Sequence, residues 1–268
     1  MTLNGMAKWT SGLALLILLR WLPAPVEAQA SRSSLEGMWS DPPSTAVGSF
    51  CAAFCTDAGL DRLNALLDNP VNDVRPFEQL EAEAKTTERE YIRSRLTVAA
   101  LKTYPLDPAD DPGFLRCEPW GVARQIFARH QLSIRLLANG RLELRYGEWD
   151  ARRTIDMDSR KPAVKQPSSV MGHSVGRWDG DALVIDTSGI AANIATWPAR
   201  HSDQLRVVER YTRSADGKTL SLSATMEDPA TLREAVVIKK IWRWAPEQKI
   251  APYTDCERPT EFKRGVKP

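Results

Sequence analysis

Few side chains in this chain have the chemistry to move a proton or grip a ligand, and most fall in its second half. Three histidines occur, His130, His173 and His201. Imidazole is the side chain whose ordinary pKa of ~6.5 suits proton transfer near neutrality. His173 opens a strand and is followed by Ser174, and His201 lies in Trp197-Pro198-Ala199-Arg200-His201-Ser202-Asp203, a loop leading into Leu205. Glu209 stands out because Leu205, Val207, Glu209 and Tyr211 share one face of an alternating segment. A carboxylate on such a face is either paired with a cation or raised in pKa, the usual state of a general acid or base. Lys240, set among Val236, Ile238, Trp242 and Trp244, is the structural partner this reading offers it. Asp186 shares a face with Ala182 and Val184 and would orient a histidine or simply accept backbone donors. The candidate acid–base set is therefore His173, His201, Glu209 and Asp186. Trp178, Trp197 and Tyr211 are the candidate walls of an aromatic pocket.

Other chemistries find less footing. Ser174 lacks the G-x-S-x-G setting of a hydrolase nucleophile. Asp107, Asp110 and Asp111 lack the spacing and terminal Glu of a calcium loop and read as a solvated turn. No phosphate loop, dinucleotide fingerprint or clustered metal ligands appear, so the sequence predicts no nucleotide cofactor and no tight metal.

These residues need elements to position them. Gly172 to Gly189 reads as two short runs about a Trp178-Asp179-Gly180-Asp181 corner, with Leu183, Val184 and Ile185 returning as an apolar strand, a strong hairpin signal because Gly tolerates positive φ. Leu132, Ile134 and Leu136 alternate with polar residues, turn at Asn139-Gly140, and alternate again through Leu142, Leu144 and Tyr146. Strands are expected at 151–157, around 205–211, from Leu220 to Met226 after Asp216-Gly217, and from Val236 to Trp244, with Ile250 to Cys256 closing the set. About eight or nine antiparallel strands with short turns predict a mainly β fold, an antiparallel barrel or strongly curved sheet. Ahead of it, Leu35-Glu36-Gly37-Met38-Trp39-Ser40 is a G-x-W opening. Residues 49–104 are helical by periodicity, with Asp57 as N-cap, Asn69-Pro70 as a stop, and a longer stretch from Phe77 to Leu101. That block reads as an amphipathic insertion covering one end of the sheet.

The first thirty residues read as a secretory signal peptide. Lys8 precedes the apolar Leu13–Leu19 run, and Ala28-Gln29-Ala30 is a small-x-small cleavage site. The run is far short of the ~20 residues that span a bilayer. The expected division is 1–30 signal peptide, 31–113 opening strand and helical block, and 114–268 barrel. The formal charge is +2, falling to +1 without the leader, which gives no reason to expect nucleic acid or an anionic membrane surface as partner. Cys51, Cys55, Cys117 and Cys256 make an even count, expected as two disulfides in a periplasmic or secreted protein, with three pairings open.

Cys117-Glu118-Pro119-x-Gly121, the run Gly172-His173-Ser174-Val175-Gly176-Arg177-Trp178-Asp179-Gly180-Asp181-x-Leu183-Val184-x-Asp186-Thr187, and Glu209-Arg210-Tyr211 resemble a large group of exported, mostly uncharacterised bacterial proteins. The likeness covers about Pro112 to Cys256 and carries no catalytic assignment. The G-x-W opening followed by antiparallel strands also resembles lipocalin-type barrels. Two functions follow from this reading. One is an exported barrel that binds a small apolar or aromatic molecule. The other is a cofactor-free lyase, isomerase or hydratase using His/carboxylate acid–base chemistry.

Overall fold

Period-two alternation of apolar residues builds the core of the computed structural model, which describes residues 35–105, 120–157, 167–192 and 199–252. Among them nine strands close into a barrel. They are β1 (Gly37–Ser40), β2 (Leu132–Leu136), β3 (Leu142–Tyr146), β4 (Arg152–Asp156), β5 (His173–Asp179), β6 (Ala182–Ser188), β7 (Arg206–Arg213), β8 (Thr219–Glu227) and β9 (Val236–Trp244). Neighbours run antiparallel except β4 and β5, which pair in parallel with Ile155 opposite Ser174. The expected all-antiparallel order is therefore corrected at one seam. A parallel pair needs a crossover of a dozen or more residues, and the 157–172 connection is long enough to supply one.

Closure also differs from expectation. Residues 250–252 form no strand, and β1 joins β2 to β9 instead, with Trp39 opposite both Leu132 and Trp244. The G-x-W opening is thus the barrel's seam. The Trp39 and Trp244 rings meet edge-on with centroids 4.9 Å apart. Gly37, at φ +130°, lies so close to the Trp244 ring that a Cβ there would clash.

Three turns mark one end of the barrel, at residues 137–141, 180–181 and 214–218. In the second, Gly180 takes φ +59° at the first of two loop positions, as a type II′ corner requires. The connections at the opposite end are the helical insertion between β1 and β2, which carries His130, the β6–β7 connection, which carries His201, the 147–151 turn and the β8–β9 connection.

The insertion contains α1 (Ala46–Phe50), α2 (Asp57–Leu67), a 3₁₀ turn at Pro70–Asn72, α3 (Phe77–Arg95), α4 (Val98–Leu101) and α5 (Val122–Gln125). Thr56, one residue before the expected cap, accepts from the Gly59 amide and starts α2. Its Leu63 and Leu66 pack with Leu80 and Ala84 of α3 and with Ile241 on the outside of β9. The expected single helix through Leu101 breaks at Leu96, which bridges to Leu232 instead. Cys55 bridges in the same manner to Lys239, so the start of α2 is tied to β9 and the end of α3 to the β8–β9 connection. Cys51 and Cys55 form a disulfide. Cys117, Cys256, Trp197 and the expected signal peptide, residues 1–30, lie outside the described residues. Among those described, no helix is long and apolar enough to cross a membrane.

Candidate functional site

The alternation on β7 places Val207, Glu209 and Tyr211 inside the barrel, each with no exposed surface. Glu209 does not pair with Lys240. Its partner is Arg153 on β4, whose Nη2 donates to Oε2 at 2.6 Å and Nη1 to Oε1 at 3.2 Å. The same guanidinium donates to Ser174 and Thr187, both at 3.0 Å, and to the Tyr146 hydroxyl at 3.2 Å. Tyr211 donates to Glu209 Oε1 at 2.7 Å. Five adjacent strands therefore converge on one ion pair. Burial works against a charged Arg153, yet the Glu209 carboxylate beside it outweighs that penalty and holds the guanidinium above its usual range. Burial pushes the Tyr146 phenol up to about 12. Trp39, Leu132, Leu144, Leu220 and Trp242, each at most 1% exposed, fill much of the remaining bore, so this level of the barrel is packed rather than hollow. Both carboxylate oxygens and both terminal guanidinium nitrogens are partnered and only the buried Arg153 Nε is not, so the pair serves the fold and leaves little freedom for proton transfer.

The other sequence candidates separate. Asp186 points outward and is clasped by Arg206, with Nε at 2.9 Å and Nη2 at 2.5 Å. It cannot act with Glu209, which lies on the opposite side of the wall. His173 also faces outward, and its Nε2 donates to the Pro167 carbonyl at 2.9 Å. Trp178 points inward but near the hairpin end, about 17 Å along β5 from His173 at ~3.4 Å per residue. The pocket expected to combine Trp178 with the histidines is therefore not what the fold assembles. Tyr211 belongs to the bore network and stacks on Trp242 with ring centroids 6.4 Å apart.

All three histidines nevertheless stand at the helix-bearing end, His130 just before β2, His173 at the start of β5 and His201 in the β6–β7 connection. His201 is the buried one, 9% exposed. It lines a recess with Ala199, Leu205, Met226, Asp228, Thr231 and Leu232, which has room for about one water-sized group. Asp228 locks the loop by accepting from Ser202 N and Ser202 Oγ, both at 2.7 Å. Thr231 Oγ1 ties the other side by donating to the Arg200 carbonyl at 3.0 Å.

A second constellation, not foreseen as a unit, surrounds the β3–β4 turn. His130 Nε2 lies 2.6 Å from Glu148 Oε2. Burial pushes the Glu148 carboxyl up to about 7, with Arg124 and Lys240 opposing. Burial and the Lys240 charge pull His130 below its usual value. Gln125, on α5, donates to the Glu148 carbonyl at 3.1 Å, while its own Oε1 is buried without a partner. Trp149 and Asp150, next in the turn, take φ +59° and +49°. Positive φ is a rare conformation for a bulky residue, tolerated where surrounding structure imposes it. Lys240 completes the group: 1% exposed, it donates to the Ala128 carbonyl and lies over the Trp242 ring. Burial pulls its ammonium down to about 7. Sequence spacing did single out Lys240 as inward-facing. Nothing local marked His130 and Glu148 as partners, since eighteen positions and a complete hairpin separate them.

No protein-family model, curated protein or solved structure matches this chain.

Proposed function

We propose that the protein binds a small apolar or aromatic molecule, as the sequence suggests, and that it does so at the helix-bearing end rather than inside the bore. One observation carries this reading: the recess between the β6–β7 and β8–β9 connections has apolar walls at Ala199, Leu205, Met226 and Leu232, while the level of Arg153 and Glu209 is closed by side chains. A binding barrel needs apolar surface for affinity and a few fixed polar groups for orientation, and this end offers both. The recess takes the head of a ligand, and the rest lies toward the connections around it. The group of exported proteins that the Gly172–Thr187 motif resembles is consistent with such a role outside the cytoplasm.

Mass spectrometry of molecules that remain bound through gentle purification tests the proposal. The wild type and His173→Ala, which alters an outward-facing ring, are expected to retain the same compound. Ala199→Leu and His201→Ala, which alter the recess, are expected to lose it. Equal retention in all four proteins would place any bound molecule elsewhere.

The alternative, a cofactor-free enzyme, is favoured by the His130–Glu148 contact beside Lys240, because a shared proton between an imidazole and a buried carboxyl is an acid–base couple. In this reading His130 and Glu148 replace His173, Asp186 and Glu209 as the working pair. Conversion of the retained molecule on incubation with wild type, but not with His130→Gln, would distinguish catalysis from binding.

A further inference from the structure

The recess has one polar wall with an unmet hydrogen-bonding position. His201 Nδ1 lies 2.9 Å from the Ser202 carbonyl oxygen. A carbonyl oxygen only accepts, so the ring proton sits on Nδ1 and Nε2 keeps its lone pair. Burial pulls the imidazole pKa below its usual value, opposed by the Ser202 carbonyl and the Asp228 charge, so the ring is neutral at pH 7. Nε2 is buried and no group among the described residues meets it. A buried acceptor without a donor costs free energy until something supplies one.

The neighbouring hydroxyls are committed elsewhere. Ser202 Oγ donates to Asp228, and Thr231 Oγ1 donates to the Arg200 carbonyl. Both Asp228 oxygens are occupied as acceptors, from Ser202 N, Ser202 Oγ and, at 3.2 Å, Ala230 N. Among the described residues no donor is left for it, and a molecule from outside the protein can supply one. The donating group must be small, since the recess admits about one water-sized group, and uncharged. A carboxylate would bring only acceptors, and an ammonium would have to shed its water among Leu205, Met226 and Leu232.

We propose that His201 Nε2 accepts the hydroxyl proton of a bound phenol or alcohol, whose hydroxyl occupies the recess while its carbon skeleton stays outside it. This rests on the binding reading above and adds the chemical class of the ligand. Selectivity follows because an analogue that lacks the hydroxyl leaves the nitrogen as unmet as it is in the free protein.

The matched probes p-cresol and toluene test it, titrated calorimetrically into the full chain, with the ¹⁵N resonance of His201 Nε2 followed by NMR. The expected result is that p-cresol binds about tenfold more tightly than toluene, the worth of one buried hydrogen bond. Only p-cresol should move the Nε2 resonance, and His201→Phe should abolish the tenfold difference. Equal affinity for the two probes, or p-cresol binding that leaves Nε2 unmoved, would overturn the hydroxyl assignment and leave the binding reading standing. An Nε2 resonance already capped by a bound water that neither probe displaces would overturn the assignment as well. No binding of either probe would count against both. Should His201→Phe fail to fold, the Nε2 resonance of the wild type decides alone.

Discussion

Arg153 and Glu209 meet at 2.6 Å inside the barrel, one from β4 and the other from β7, with three strand-to-strand steps between them around the wall. Neither side chain has a path to water, being 3% and 0% exposed. The contact therefore ties the parallel seam at β4–β5 to the antiparallel half of the barrel. It also explains why Ser174 and Thr187 in the sequence motif are polar although they face the core: both accept from Arg153.

Removing either partner of that pair should be costly. Arg153→Met or Glu209→Gln is expected to lower unfolding free energy by about 3–5 kcal/mol, since each leaves buried groups unpaired. The double variant Arg153→Met/Glu209→Met should be no worse than either single change. Chemical denaturation of the three variants checks this. Additive losses would mean that the two residues stabilise the barrel independently.

Lys240 should lower stability at neutral pH. Its pKa of about 7 in the fold lies below the ordinary lysine value, so between the two the unfolded chain binds the extra proton. Stability is then gained as pH rises from about 7 through the ordinary lysine range, and lost in the reverse direction. Lys240→Met keeps the apolar stem and removes the titration. It is expected to be more stable than wild type by a few kcal/mol at pH 7, with the gap narrowing toward pH 10. Thermal melts across that range would show it, and a gap independent of pH would refute the assignment.

Glu148 has the opposite sign. With a folded pKa of about 7 against an ordinary carboxyl, the native state holds the proton more tightly. Its contribution is therefore fully present below the ordinary carboxyl pKa and is lost as pH rises through 7. Glu148→Gln should resemble wild type at pH 4 and exceed it at pH 8. The same variant should shift the His130 titration seen by NMR, because the 2.6 Å contact couples the two.

Gly176 has no room for a side chain. A Cβ would lie 2.5 Å from Met157 Sδ and 2.8 Å from Ile155 Cγ2. Gly176→Ala should cost about 1–3 kcal/mol by overpacking. Adding Met157→Ala frees the flexible neighbour and should recover part of the loss. Denaturation midpoints of the two proteins provide the comparison.

Much of the fold was legible because it is local. Alternation on β7 and β9 put Glu209 and Lys240 inside, and Gly140, Gly180 and Gly217 marked the turns through their positive φ. Arg153 carries a local signal too, since it shares a strand face with the buried Ile155. The parallel seam was hidden because strand direction is set by a long connection rather than by any residue in β4 or β5. The candidate site was legible only in part. His201 could be named from its loop, but its unmet Nε2 depends on Ser202, Asp228 and Thr231, which other elements bring to it.

Side-chain alternation, turn chemistry and helix periodicity are properties of neighbouring residues, and so the sequence by itself determined which groups enter the barrel and where the chain reverses. Which of those groups touch was decided by register and closure. A residue's height in the bore depends on how each strand is staggered against the next, a sum of pairings around the whole ring. That is why Glu209 meets Arg153 rather than Lys240, and why His130 finds Glu148.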